Sequence, residues 1–110
     1  KRFEGEAKNA ACAAYAADPF IKYAIVVDED VDIFDDSAVL NALALRTGPD
    51  SFFAINRAKG HSTDPMAIDG YLTTKVGIDA TRPLRGYPKE ISVPGTDKIN
   101  LEDYLPDFHK

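Results

Sequence analysis

The run "KYAIVV", residues 22 to 27, constrains the fold more than any other stretch of this chain. It is β-branched and continuously apolar, the pattern of a strand buried on both faces, and such strands belong to sheets covered by helices. The segments around it supply the helices. Residues 4 to 17 are rich in Ala, with Glu6, Lys8 and Tyr15, and predict a helix by propensity. Asp18-Pro19 stops it, because the proline ring disfavours helical geometry at the residue before it. Downstream, Asp35, Asp36 and Ser37 suit an N-cap, and "AVLNALALRT" carries apolar residues at helical spacing. Gly48 and Pro49 follow as cap and breaker.

A second apolar run, "FFAI" (52–55), reads as another strand. Strand, helix and strand within about 35 residues predict a βαβ unit, with parallel pairing and a right-handed crossover. A third strand is expected at "LTTKVGID" (72–79). Beyond it, "ATRPLRGYPKEISVPG" holds three prolines and reads as an irregular arm, and "LEDYLPDFHK" as a short helix or extended tail. The expected fold class is α/β: a single small domain over residues 1–110, with a βαβ unit and a partly parallel sheet. Its polar segments begin where strands end, which is where open α/β folds place ligands.

At 110 residues there is room for one domain and one core. A net charge of −5 argues against duplex nucleic acid, since phosphate binding needs a basic surface. The single cysteine, Cys12, excludes an intrachain disulfide framework and a cysteine-cluster zinc site. Within "AKNAACAAYAA" it is expected to be a small buried core thiol. No run has the length of a membrane span and no signal peptide is visible, so the expected compartment is cytoplasmic. The start at Lys1 without Met suggests a piece of something longer.

The first strand leads into Asp28, Glu29, Asp30, Asp32, Asp35 and Asp36, six carboxylates in nine positions. An EF-hand counted from Asp28 would need glycine at its sixth position and glutamate at its twelfth, where Ile33 and Val39 stand. The form "strand, then Asp-x-Asp" also resembles the first motif of haloacid-dehalogenase-type phosphatases, with Asp28 as nucleophile and Asp30 as general acid. Such an enzyme, like a glycosyltransferase with an Asp-x-Asp metal site, needs more chain than this. The favoured reading is a polar turn followed by a helix cap, where the positive end of the dipole attracts anions.

In the third strand, alternation puts Leu72, Thr74, Val76 and Ile78 on one face, and Thr73, Lys75, Gly77 and Asp79 on the other. A lysine in mid-strand can serve as a point charge for a phosphate or carboxylate. Gly77 beside it would admit a ligand or a second backbone. The alternative is an edge strand whose Lys75 pairs with Asp79 or snorkels into solvent. His61, with Lys59, Ser62 and Thr63, could cradle an anion or be a surface-loop histidine, and the second is the commoner fate. His109 is expected to be exposed near the terminus.

Taken together, "KYAIVVDEDVDIFDDSAVLNALALRTGPD", "GHSTDP" and "TTKVGIDATRP" resemble the carboxyl-terminal region of the UbiD family of decarboxylases, in order from about residue 20 to residue 83. The resemblance implies reversible decarboxylation of aromatic or α,β-unsaturated acids with prenylated FMN, a divalent metal, usually Mn2+, and K+ at the cofactor phosphate. It implies an upstream domain carrying the flavin and a Glu-Arg-Glu set, with the present domain beside it and supplying oligomer contacts. It makes Lys75 similar to a family lysine that reaches the cofactor phosphate, and gives no other residue here a ligand role. It also implies that the acidic run is a structural signature. Asn41 stands where members commonly have Trp, and Thr63 where Leu commonly precedes Asp-Pro. Nothing matches the Glu-Arg-Glu set or the metal ligands, so the chain alone is expected to be inactive, to bind no cofactor tightly and to self-associate. The rivals are a stand-alone oligomerisation or regulatory module and a small phosphohydrolase using Asp28 and Asp30.

Overall fold

Helix α1, Glu6–Ala17, places Ala7, Ala11 and Tyr15 in one stripe at four-residue spacing, and Ala7 and Ala11 are buried. It begins two residues later than propensity alone predicts, because Gly5 precedes it with φ 91°, a left-handed conformation that helical residues do not adopt. Asp18 ends it in an extended conformation, and its carboxylate accepts from the amide of Phe20. Strand β1 is Tyr23–Val27, helix α2 is Asp36–Leu45, strand β2 is Phe52–Lys59 and strand β3 is Leu72–Ala80. The computed structural model describes residues 1–89, 95, 98–100, 103 and 104. The arm over 81–89 has no regular helix or strand, as its prolines predict. His109 and most of the tail lie outside the described residues.

The sheet has the order β1-β3-β2, with β1 parallel and β2 antiparallel to β3. The expected α/β class with a partly parallel sheet holds, but the parallel partner of β1 is β3, not β2. β2 and β3 are joined through 60–71 and pair antiparallel, which takes one edge of β3, and β1 takes the other. Helix α2 therefore leads from one outer strand to the other. Strand β2 runs four residues past the predicted "FFAI". It does so by a bulge, with Asn56 and Arg57 both falling opposite Thr74, between the Ile55–Lys75 and Ala58–Thr73 pairs.

The two sheet faces differ sharply. Register puts Ala24, Phe53, Ile55, Lys75 and Gly77 on the face that α1 covers, and the Tyr15 hydroxyl donates to the Val76 carbonyl. The other face carries Tyr23, Ile25, Phe52, Val76 and Ile78, of which Tyr23 and Phe52 are more than half exposed. β1 is thus not buried on both faces. Among the described residues the buried apolar side chains are Ala7, Ala11, Ala42 and Ala80, and no large side chain is fully enclosed. Leu40 and Leu45 of α2 are exposed as well. Cys12 is exposed rather than buried, since it follows Ala11 and so turns about 100° off the stripe that meets the sheet.

Candidate functional site

Lys75 lies in the central strand and is 2% exposed. Its Nζ donates to the carbonyls of Pro19 and Ile21 at 2.9 and 2.6 Å, and stands 5.7 Å from the centroid of the Tyr15 ring. An ammonium has three donors, so two of them fasten the loop between α1 and β1. The edge-strand alternative for Lys75 is overturned, because β3 has a partner on each side. Asp79 does not pair with it; its carboxylate accepts from the amide and the hydroxyl of Thr81. The space left by Gly77 holds the ring of Phe53 from the neighbouring strand: a Cβ on Gly77 would fall 2.1 Å from Phe53 Cζ. That ring also carries the Lys8 ammonium, 5.2 Å from its centroid.

The acidic run is answered by two arginines. Arg46, just past α2, donates to Asp28 at 2.9 Å and holds both oxygens of Asp30, at 2.9 and 3.0 Å. Arg82 gives its amide to Asp28 at 2.9 Å and its guanidinium to Asp30 at 3.3 Å. Arg46 in the first place holds the Asp30 carboxyl below its usual range, and Asp30 in turn raises the arginine. A nucleophilic Asp28 must be free to attack, and this one is only 14% exposed and already holds Arg46, which disfavours phosphohydrolase chemistry. Asp35 is the helix cap, accepting from the amides of Ser37 and Ala38 at 3.0 and 3.3 Å. Among the described residues no group of three His, Cys, Asp or Glu side chains could hold a metal ion.

Sequence reasoning missed both arginines. Arg82 left only an indirect signal: Val27 pairs with Ala80 in the parallel register, so Asp28 and Arg82 follow adjoining strand ends, but that register is itself a tertiary result. Arg46 gave no such signal, because its position depends on how α2 is seated.

The loop after β2 forms a second polar centre. His61 stacks on Phe20 with ring centroids 3.7 Å apart, and its Nδ1 accepts from the Thr63 amide at 3.3 Å. Asp64 accepts from Lys22 at 2.9 Å, Thr73 at 2.8 Å and the Met66 amide at 2.9 Å. The Lys22 ammonium above all, then the Met66 amide and the Thr73 hydroxyl, hold its carboxyl down to about 2. The centre of the loop is therefore a carboxylate; of the four residues that could have cradled an anion, His61 and Thr63 line one small cavity with Asp64, and Lys59 and Ser62 do not.

The 3-octaprenyl-4-hydroxybenzoate carboxy-lyase C-terminal domain family matches residues 1–80. The chain belongs to that family. Relatives of this UbiD C-terminal domain include anhydromevalonate phosphate decarboxylase of Methanothermobacter thermautotrophicus, 44% identical over 81% of this chain and 21% of the relative. Gallate decarboxylase of Lactiplantibacillus plantarum is 29% identical over 91% of this chain and 19% of its own length. Among solved structures, the UbiD-class enzyme HmfF of Pelotomaculum thermopropionicum, in complex with FMN, aligns over 96% of this chain and 24% of its own. Its TM-score is 0.76 at 43% identity. The UbiD-like domain thus spans about a fifth to a quarter of the length of the proteins it matches.

Proposed function

We propose that this chain is the carboxyl-terminal domain of a prenylated-FMN-dependent carboxy-lyase acting reversibly on aromatic or α,β-unsaturated carboxylic acids. The observation that carries the reading is the likeness of nearly the whole chain, in sequence and in fold, to the same quarter of a UbiD-class enzyme. Relatives named for gallate and anhydromevalonate phosphate set the range of acids. The bound group would supply the electron sink for loss of carbon dioxide. The residues of this chain would form one wall of the cleft. The reading assigns the flavin site, the Mn2+ and K+ ligands and the acid-base groups to an upstream domain, and the whole to the cytoplasm. It agrees with an open sheet face and an alanine-sized core, which leave apolar surface for an upstream domain or a second copy to cover.

Lys75 is the residue we assign to the cofactor phosphate, through the donor that Pro19 and Ile21 leave over. A second reading is favoured by its burial: Lys75 serves only to fasten the 18–22 loop and touches no cofactor. The test joins this domain to its upstream region, loads prenylated FMN and measures flavin content and carbon dioxide release from gallate and anhydromevalonate phosphate. Failure to bind flavin and to decarboxylate either class of acid would overturn the enzyme reading. In the same protein Lys75→Ala should lower cofactor affinity roughly ten- to a hundred-fold, the worth of a charge-assisted contact. Unchanged affinity with a lowered melting temperature would leave the loop-fastening reading. Sedimentation of the isolated chain should show self-association, and a clean monomer would count against the uncovered face as an assembly surface.

A further inference from the structure

Strand β1 has β3 on one side and no strand on the other among the described residues. Tyr23 pairs with Val76 in the parallel register, and the Val76 amide donates to the Lys22 carbonyl. In a parallel ladder that phase turns the backbone groups of Ala24 and Val26 toward β3. Those of Tyr23, Ile25 and Val27 point away from the sheet and have no partner among the described residues. The two free edges of the sheet are not alike. β2 carries a bulge at Asn56 and Arg57 and a lysine at residue 59, devices that keep an edge strand from pairing. β1 has no bulge, proline or charge over Tyr23–Val27. Tyr23 and Ile25 are exposed as well, so the open edge adjoins the open face.

We infer that this edge pairs with the β1 edge of a second copy, antiparallel and centred on Ile25, so that two sheets join into one. In that register Ile25 faces its own counterpart, and Tyr23 faces Val27 of the second copy, an aromatic against a β-branched side chain. Each of these pairs exchanges both hydrogen bonds, because all three residues turn amide and carbonyl outward. On the face that α1 covers, Lys22 falls opposite Asp28 of the second copy at both ends of the pairing. Lys22 keeps two ammonium donors beside the one that Asp64 takes, and Oδ1 of Asp28 has no partner among the described residues. The edge is thus complementary to itself in hydrogen bonds, side chains and charge. Sliding one strand by two residues keeps the phase but loses hydrogen-bonded pairs, and sets Lys22 opposite Val26 or Asp28 opposite Ala24. A two-fold axis at Ile25 closes the contact at two copies, and the guarded β2 edges end the joined sheet. The two open faces then form one apolar surface. The inference rests on the carboxy-lyase reading only in leaving that surface for an upstream domain to cover.

Sedimentation equilibrium of the isolated chain should show association that saturates at two copies. Ile25→Pro removes an amide that faces away from β3, so the β1–β3 ladder is kept, and it should weaken dimerisation about ten-fold or more. Oxidation in a Cys12→Ala background gives a readout that needs no loss of binding. There Ile25→Cys should yield a disulfide-linked dimer, because the Cα atoms of a hydrogen-bonded antiparallel pair lie about 5.5 Å apart, within disulfide reach. Phe52→Cys, on the same open face but in β2, should stay unlinked. Amide exchange at Tyr23, Ile25 and Val27 should slow as concentration rises. Four results would overturn the inference: a monomer at every concentration, assembly beyond two copies, wild-type dimerisation in Ile25→Pro, or linkage of Phe52→Cys as ready as that of Ile25→Cys. In the protein joined to its upstream region, protected β1 amides in a monomer would give the edge to an upstream strand and overturn it too. No flavin or turnover enters the readout, so its failure is separate from failure of the decarboxylase reading.

Discussion

The ring of Phe53 fills the place where Gly77, its partner across the β2–β3 ladder, lacks a side chain. The pair exchanges bulk across two strands, an aromatic covering a glycine in the middle of a sheet. Gly77→Ala must push the ring aside, and overpacking of this kind costs about 1–3 kcal/mol. In a Phe53→Ala background the same change should cost far less, because the space is then open. Chemical denaturation of the four proteins in the cycle measures the coupling, and additive losses would show that the ring is not what excludes a side chain at residue 77.

Arg46 ties the end of α2 to the loop after β1, and its side chain and that of Asp28 are both about 15% exposed. Few large apolar side chains hold this helix: Ala42 is its buried residue, while Leu40 and Leu45 are exposed. Arg46→Met keeps the stem and removes the donors, and should destabilise the protein by about 1.5–3 kcal/mol. Amide exchange should rise first over residues 36–45. Unchanged exchange there would mean that apolar contacts seat the helix without the arginine.

Asp64 sets an acid limit for the loop after β2. Its carboxyl is held to about 2 by Lys22 first, then by the Met66 amide and the Thr73 hydroxyl. A depressed carboxyl contributes stability that is fully present above its unfolded value, about 3.9, and is lost as pH falls through the folded value. Melting temperature should therefore fall between about pH 4 and pH 2, more steeply in wild type than in Asp64→Asn. Parallel slopes for the two proteins would exclude Asp64 as the source.

Lys75→Met retains the buried stem and takes the donors from the carbonyls of Pro19 and Ile21. Two buried acceptors losing a charged donor should cost about 2–4 kcal/mol in stability, even with no cofactor present. A thermal melt of the isolated chain reads this directly. A change within about 0.5 kcal/mol, the size expected of a surface position, would mean that the loop does not depend on the ammonium.

Cys12 is exposed on α1. Iodoacetamide should alkylate it in the folded protein nearly as fast as in denaturant. Strong protection in the native state would place it in an interface between copies.

The elements were legible because their causes are local. Gly48-Pro49, Asp18-Pro19 and the Asp35 cap act within a few residues of the ends they mark. The mid-strand lysine stood out for the same reason, since a charge flanked by Thr74 and Val76 is a local anomaly. Its environment was not legible. Whether Lys75 faces solvent, a ligand or two carbonyls depends on the Pro19–Ile21 loop, more than 50 residues away along the chain.

By itself, the sequence determined a helix, an apolar strand, a capped helix and two further strands, because backbone propensity and hydrophobic period operate over one or two turns. It also determined membership of the UbiD carboxyl-terminal family, through motifs running in order along most of the chain. Only the tertiary structure decided which strands meet. Pairing is a competition between edges of distant segments, and β3, with two strands available to it, took β2 on one side and β1 on the other. From that order came the burial of Lys75, the filling of Gly77 by Phe53 and the meeting of Arg82 with Asp28. Each contact joins residues brought together by the β1-β3-β2 sheet and far apart in the chain, so none leaves a mark in any short stretch of sequence.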